Sequence, residues 1–123
     1  MQITDNFNIS EFMSKDGAKM PDNVLVNIKE LAKNLQVIRN IVCAPISINS
    51  AYRSILHNKA VGGAKNSYHV KGMAADITIE GLTPKEVHSL LLDLIKEGKI
   101  SEGGLGLYNS FTHYDIRKTK ARW

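Results

Sequence analysis

The feature that most restricts how this chain can fold is a carboxylate set inside its most apolar strand-like run. Ala74-Ala75-Asp76-Ile77-Thr78-Ile79 reads as a β-strand, and a carboxylate buried there is costly unless it is paired or bound to a metal. Whatever the fold, it must bring a partner to Asp76. An arginine, a capped backbone turn or a metal shared with other side chains would each serve.

The elements around this strand follow from spacing. Ile9 to Met13 reads as a short opening helix with Ser10 as its N-cap. A longer helix opens at Met20-Pro21-Asp22-Asn23. Val24, Ile28, Leu31, Ala32, Leu35 and Ile38 then recur at three- and four-residue spacing, one apolar face of an amphipathic helix. Pro45 closes that stretch, and Ile46-Ser47-Ile48-Asn49-Ser50 alternates as a half-buried strand does. Tyr52 to Tyr68, with Gly62-Gly63, Asn58 and Asn66, reads as a loop or a short broken helix. Thr83-Pro84-Lys85-Glu86 has the cap, proline and capping-box glutamate of a helix start. Val87, Leu90, Leu91, Leu94 and Ile95 give that helix its stripe, and Gly98 suits its end. Gly103-Gly104 turns into Leu105–Tyr108, Asn109-Ser110 makes a hairpin turn, and Phe111–Ile116 returns as a strand. Helices followed by strands with one helix between them predict α+β, with a central, mostly antiparallel sheet and helices packed on one face.

At 123 residues the chain is expected to form one domain. No apolar run approaches the roughly 20 residues that cross a bilayer. The segment Met1–Phe7 lacks the basic start and apolar stretch of a secretory signal. The expectation is synthesis in the cytoplasm, as a monomer. The single cysteine, Cys43, between Val42 and Ala44, is expected to be a buried structural thiol. The net charge of +4 owes much to Arg117-Lys118-Thr119-Lys120-Ala121-Arg122. That run reads as a solvated basic end able to touch an anionic polymer. No helix-turn-helix or other recognition signature accompanies it, so no nucleic-acid partner is expected.

Four histidines are present: His57, His69, His88 and His113. His88 sits inside the second long helix in a surface or packing role. His69 and Asp76 bracket a turn through Gly72, so a loop imidazole and a strand carboxylate can face one spot. His113, on a later strand, can supply a third donor from across the sheet. Two imidazoles and one carboxylate suit zinc with a fourth position open to water, although a His and an Asp seven apart also occur by chance. Asp115 is two residues beyond His113 and faces the same side. It is read either as a general base or as a group that orients a ligand, or as an ion pair with Arg53 or Arg117. Arg53, after Ser50-Ala51-Tyr52, can bind a carboxylate through two N–H groups.

These residues lie in recognisable motifs: Ile48-Asn49-Ser50-Ala51-Tyr52-Arg53-Ser54, Asn58, Val61-Gly62-Gly63-Ala64, Asn66 through Ile77, Gly103 through Tyr108, and Phe111 through Arg117 with Trp123. Together they resemble the zinc D-Ala-D-Ala carboxypeptidase family, whose relatives include phage endolysins, murein endopeptidases and the hedgehog signalling fold. The Ser-x-His-x-x-Gly-x-Ala-x-Asp stretch from Ser67 to Asp76 carries most of the likeness. The resemblance implies one zinc ion per chain held by His69, Asp76 and His113. It also implies that Arg53 binds substrate and stabilises the tetrahedral intermediate, and that Ser67 lies in the substrate cleft. Several members carry an acidic base three residues before the last histidine, where this chain has Ser110, and a histidine two before it, where this chain has Phe111. Asp115 is therefore taken as the general base.

The implied activity is hydrolysis of peptidoglycan stem peptides or cross-links, as a D,D-carboxypeptidase or an endopeptidase. D-Ala-D-Ala, another D,D cross-link and L-Ala-D-Glu remain open as the bond cut. A phage or prophage lytic enzyme, delivered by a holin or a virion, would fit the N-terminal sequence. The alternative is a non-catalytic, zinc-stabilised module that binds the cell wall.

Overall fold

A computed structural model describes residues 1–123. The chain begins with a small antiparallel hairpin, β1 (Gln2–Thr4) and β2 (Phe7–Asn8), followed by a single 3-10 turn over Ile9–Phe12. Asn8, not Ser10, caps that turn, in a capping box with Glu11. Ser10 lies two residues too late, inside the turn, and its own N–H is the group that Asn8 satisfies.

Helix α1 spans Asp22–Val42 and buries Val24, Ile28, Leu31, Ala32, Leu35 and Ile38, the face predicted from spacing. It ends at Cys43, which caps the helix in the left-handed conformation with φ of 53°. There the thiol turns outward, and Cys43 is exposed rather than buried. Its apolar neighbours, Val42 at the helix end and Ala44 in the following loop, are the residues that pack against the core.

Strands β3 (Ile46–Ser50), β4 (Ala74–Ile79), β5 (Gly104–Leu107), β6 (Thr112–Asp115) and β7 (Ala121–Arg122) form one sheet in the order β3-β4-β6-β5-β7. Three neighbouring pairs are antiparallel and β5–β7 is parallel. Helix α2 (Ile55–Ala60) stands in the segment read as a loop or broken helix. Helix α3 (Pro84–Lys96) starts with the Thr83/Glu86 capping box and is followed by Gly98 in the left-handed region. This is the expected α+β arrangement. No helix is long and apolar enough to cross a membrane.

Alternation along the central strands separates core from site. Ala75, Ile77 and Ile79 of β4, Tyr114 of β6 and Leu105 of β5 join Ile28, Leu31, Leu35 and Ile38 of α1 and Val87, Leu91 and Leu94 of α3 in one hydrophobic cluster. Each such aliphatic side chain contributes roughly 1.5–3 kcal/mol on burial. The opposite face of the same strands carries Asp76, His113 and Asp115. In register, Asp76 stands opposite Ser50 on β3 and His113 on β6, and His113 stands opposite Gly106 on β5. The core thus fixes the spacing of a polar row across the sheet.

The basic end is not a free tail. Ala121–Arg122 pairs with β5, and Trp123 exchanges backbone hydrogen bonds with Leu105 and Leu107. Arg122 bonds Glu102 at 2.7 Å.

Candidate metal centre and cleft

His69 leaves a turn that its own backbone builds. Its N–H donates to Ser67 Oγ at 3.1 Å, its carbonyl accepts from Arg53 N–H at 3.0 Å, and Gly72 closes the turn at 3.2 Å. Gly72 has φ of +74°, and a Cβ there would lie 2.6 Å from Val24 Cγ1, so only glycine suits the position. The turn delivers His69 to Asp76 at the head of β4. His69, Asp76 and His113 are all buried, and one potential ligand atom from each lies within 4.8 Å of the others. The structure brings together the three residues singled out from the sequence.

The outer hydrogen bonds determine which ring nitrogens face inward. His69 Nδ1 lies 2.8 Å from the Ala51 carbonyl oxygen, so Nδ1 carries the proton and Nε2 points to Asp76 Oδ1 at 3.3 Å. His113 Nε2 donates to Asp115 Oδ2 at 2.7 Å, which turns Nδ1 toward Asp76 Oδ1 at 3.1 Å. Two nitrogens and a carboxylate oxygen therefore converge, with each imidazole held from behind by an acceptor. This is the donor set and the outer support that a divalent ion such as zinc requires, with room for a further ligand on the cleft side. Burial pushes the His113 pKa down, but hydrogen bonds to Asp115 and Asp76 outweigh it and raise it from the ordinary imidazole value. Burial likewise pushes Asp76 up, yet His113 and His69 hold it at about 2.

Arg53 is fastened at Nε to Ser50 Oγ (3.1 Å) and at Nη1 to Asn58 Oδ1 (3.2 Å), and it reaches Asp76 Oδ2 at 3.4 Å. Gly63 leaves the space that Asn58 fills. Arg53 and Ser67 both line an open cleft of about 490 Å³ whose floor is His69, Asp76 and His113.

Residues 4–115 match the sequence profile of the family described as Peptidase M15. The chain belongs to the peptidase M15 family. It is also similar to peptidoglycan L,D-endopeptidase MepK of Escherichia coli (strain K12), 36% identical over 78 residues, which cover 58% of this chain and 40% of that protein. A second relative, the probable peptidoglycan L,D-endopeptidase MepK of Haemophilus influenzae, is 34% identical over 104 residues, covering 79% of this chain and 50% of that protein. The chain thus spans about half or less of the length of these relatives.

In this M15 chain Asp115 does not sit where a general base must. It is fully buried and is absent from the cleft lining. Its Oδ1 accepts from Gly104 N–H (2.8 Å), Arg117 N–H (3.2 Å) and Arg117 Nε (2.9 Å), and its Oδ2 from His113 Nε2 and Arg117 Nη2, both at 2.7 Å. Burial opposes its ionisation, but these bonds hold its pKa well below the usual carboxylate range. A carboxylate so saturated has no oxygen left for a water in the cleft. The placement corrects the general-base reading and leaves the other two together: Asp115 orients His113 and pairs with Arg117. Same-side geometry at a two-residue spacing was right, but depth was not legible: Asp115 lies behind His113. Ser110 is exposed in the β5–β6 turn, and Asp76 is the only carboxylate lining the cleft.

Arg117 and Trp123 also line the cleft, a placement the sequence pattern did not predict. The Trp123 ring lies 5.0 Å from the His113 ring, in space that a Cβ on Gly106 would fill, and its Nε1 donates to Tyr108 Oη at 2.8 Å. Arg117 lies over the Tyr68 ring at 4.3 Å. The glycine alternation of Gly104-Leu105-Gly106-Leu107 was the available signal. In a strand, alternate glycines mark a face that something else must cover.

Proposed function

We propose that this chain is a zinc peptidase that hydrolyses peptide bonds in peptidoglycan stem peptides or cross-links. The observation that carries this reading is the convergence of His69 Nε2, His113 Nδ1 and the Asp76 carboxylate at the floor of an open cleft, in a member of a peptidase family. These three residues would hold one zinc ion, which when bound polarises a scissile carbonyl and acidifies a water. Asp115 holds His113 in the tautomer that presents Nδ1. Arg53, kept in place by Ser50 and Asn58, presents its guanidinium beside Asp76, where it favours negative charge developing on the substrate carbonyl oxygen. Ser67 holds the His69 turn and lines the cleft beside it.

The names of the two relatives favour an L,D bond over D-Ala-D-Ala as the bond cut. The test is to incubate the protein with purified peptidoglycan and with defined L,D- and D,D-linked muropeptides, with and without chelator, and identify products by mass spectrometry. Chelator-sensitive cleavage of L,D-linked material is expected. Cleavage of the D,D-linked material alone would move the activity to the carboxypeptidase or D,D-endopeptidase type. Binding to peptidoglycan without release of any fragment would leave the non-catalytic wall-binding reading.

A further inference from the structure

We infer that Arg117 forms a carboxylate-binding subsite of the cleft, which selects substrates bearing a free carboxylate outside the scissile bond. The inference rests on the peptidase reading above and adds the substrate feature recognised. Arg117 is tied to Asp115 through Nε and Nη2, and its Nη1 makes no hydrogen bond and is not buried. Its guanidinium lies 4.3 Å from the centroid of Tyr68 and 5.3 Å from that of Trp123, and all three residues line the cleft. The side chain is 20% exposed. A cation clamped by a two-point bond on one edge and by aromatic rings beside it has already lost its rotamer freedom, so binding an anion costs little further ordering.

The layout of the cleft points the same way. Its lining holds two guanidinium groups, Arg53 and Arg117; the carboxylates that pair them, Asp76 and Asp115, also face the histidines, and Asp115 is fully buried, so Arg117 Nη1 is left without a carboxylate partner. Arg53 and Arg117 stand at opposite ends of one bonded series, Arg53–Asp76–His113–Asp115–Arg117. A peptide lying across the cluster with its carbonyl near Arg53 can therefore place a second, anionic group at Arg117. Stem peptides carry such groups as the free carboxylate of a γ-linked glutamyl residue and as the carboxylate of a diamino acid.

The experiment compares kcat/KM of the zinc-loaded protein for a cleavable stem peptide with both carboxylates free, for the peptide amidated at the glutamyl position, and for the peptide amidated at the diamino acid. One amidation should lower kcat/KM by roughly tenfold to a hundredfold, chiefly through KM, as loss of a charge-assisted hydrogen bond does. The position that does so identifies the group bound. In Arg117→Met the overall rate should fall, because Asp115 loses its fork, and the acid-to-amide ratio should collapse toward one. If that variant turns over too slowly, calorimetric binding of the acid and amide peptides reads the same ratio. Equal kcat/KM for all three peptides in the wild-type protein, or an undiminished ratio in Arg117→Met, would overturn the subsite alone. Cleavage of none of the peptides would overturn the peptidase reading and the subsite together.

Discussion

Replacing Asp115 with asparagine separates a positioning role from a basic one. The substitution keeps shape and removes the charge. Asp115 accepts five hydrogen bonds and donates none. Asparagine Oδ1 can retain the Gly104 bond and both Arg117 bonds made to Oδ1, but its NH2, in place of Oδ2, must then face His113 Nε2 and Arg117 Nη2, both of which donate in the wild-type protein. Relief comes by moving the His113 proton from Nε2 to Nδ1, the nitrogen that faces Asp76. The inward nitrogen then carries a proton that a metal must displace. Loss of such outer support weakens metal binding by about tenfold to a hundredfold. The metal-free protein should also lose about 2 kcal/mol, because a fully buried anion no longer balances Arg117, which is only partly exposed.

Chelator competition measures the zinc affinity, urea unfolding of the metal-free protein measures the stability, and kcat at saturating zinc measures the chemistry. The expected result is weaker zinc binding, with most of the activity restored by excess zinc. A general base behaves in the opposite way, since its loss lowers turnover by about 10²–10⁴ and leaves the metal in place. Unchanged zinc affinity with turnover reduced a hundredfold or more in Asp115→Asn would refute the positioning argument.

Other substitutions and conditions test the remaining parts. Gly106→Ala places a methyl group in the Trp123 indole and should cost about 1–3 kcal/mol; as Trp123 is the only tryptophan, a shift in its fluorescence emission reports its displacement, and unchanged emission would show that the ring does not sit on Gly106. The Asp16 carboxyl is held at about 2 by the Ser14 and Ser54 hydroxyls. Its folded value lies below the ordinary 3.8, so its support of the α2 N-terminus is complete above about pH 4 and fades as pH falls toward 2; hydrogen-exchange protection of the Asn58 and Val61 amides should drop over that range, and Asp16→Asn should show the lower protection already at pH 5. Chelated protein should stay folded by circular dichroism, because the 23-residue core contains none of the three donor residues; zinc at a hundred times its Kd should then add about 2.7 kcal/mol, and unfolding on chelation would contradict this.

The helices were legible because their signals are local. Val24, Ile28, Leu31 and Leu35 repeat on one face, and Thr83-Pro84-Lys85-Glu86 encodes a start within four residues. The strand at Asp76 was legible for the same reason. The β1–β2 hairpin and β7 were not. Two or three residues carry too little alternation to read, and β7 exists because Ala121–Arg122 finds an open edge of β5. Cys43 departs from its expected burial because a helix C-cap takes its direction from backbone geometry, not from the polarity of its neighbours.

Within the candidate site, residue type and side of the strand could be read, but order in depth could not. His113 and Asp115 share a face by alternation, and that fact alone permits two carboxylate roles. What decides between them is a pair of absences: Gly104 and Gly106 have no side chains. Gly104 lets its N–H and the Arg117 fork close over Asp115, and Gly106 lets Trp123 cover the far side of the His113 ring. With both glycines on the site face, Asp115 is sealed behind His113 and can act on the cleft only through that ring. An alanine at either position would have forced these groups apart. The sequence feature that settles the role of Asp115 is thus on β5, about ten residues away from it in the chain, and it becomes readable only when the β5–β6 register is known.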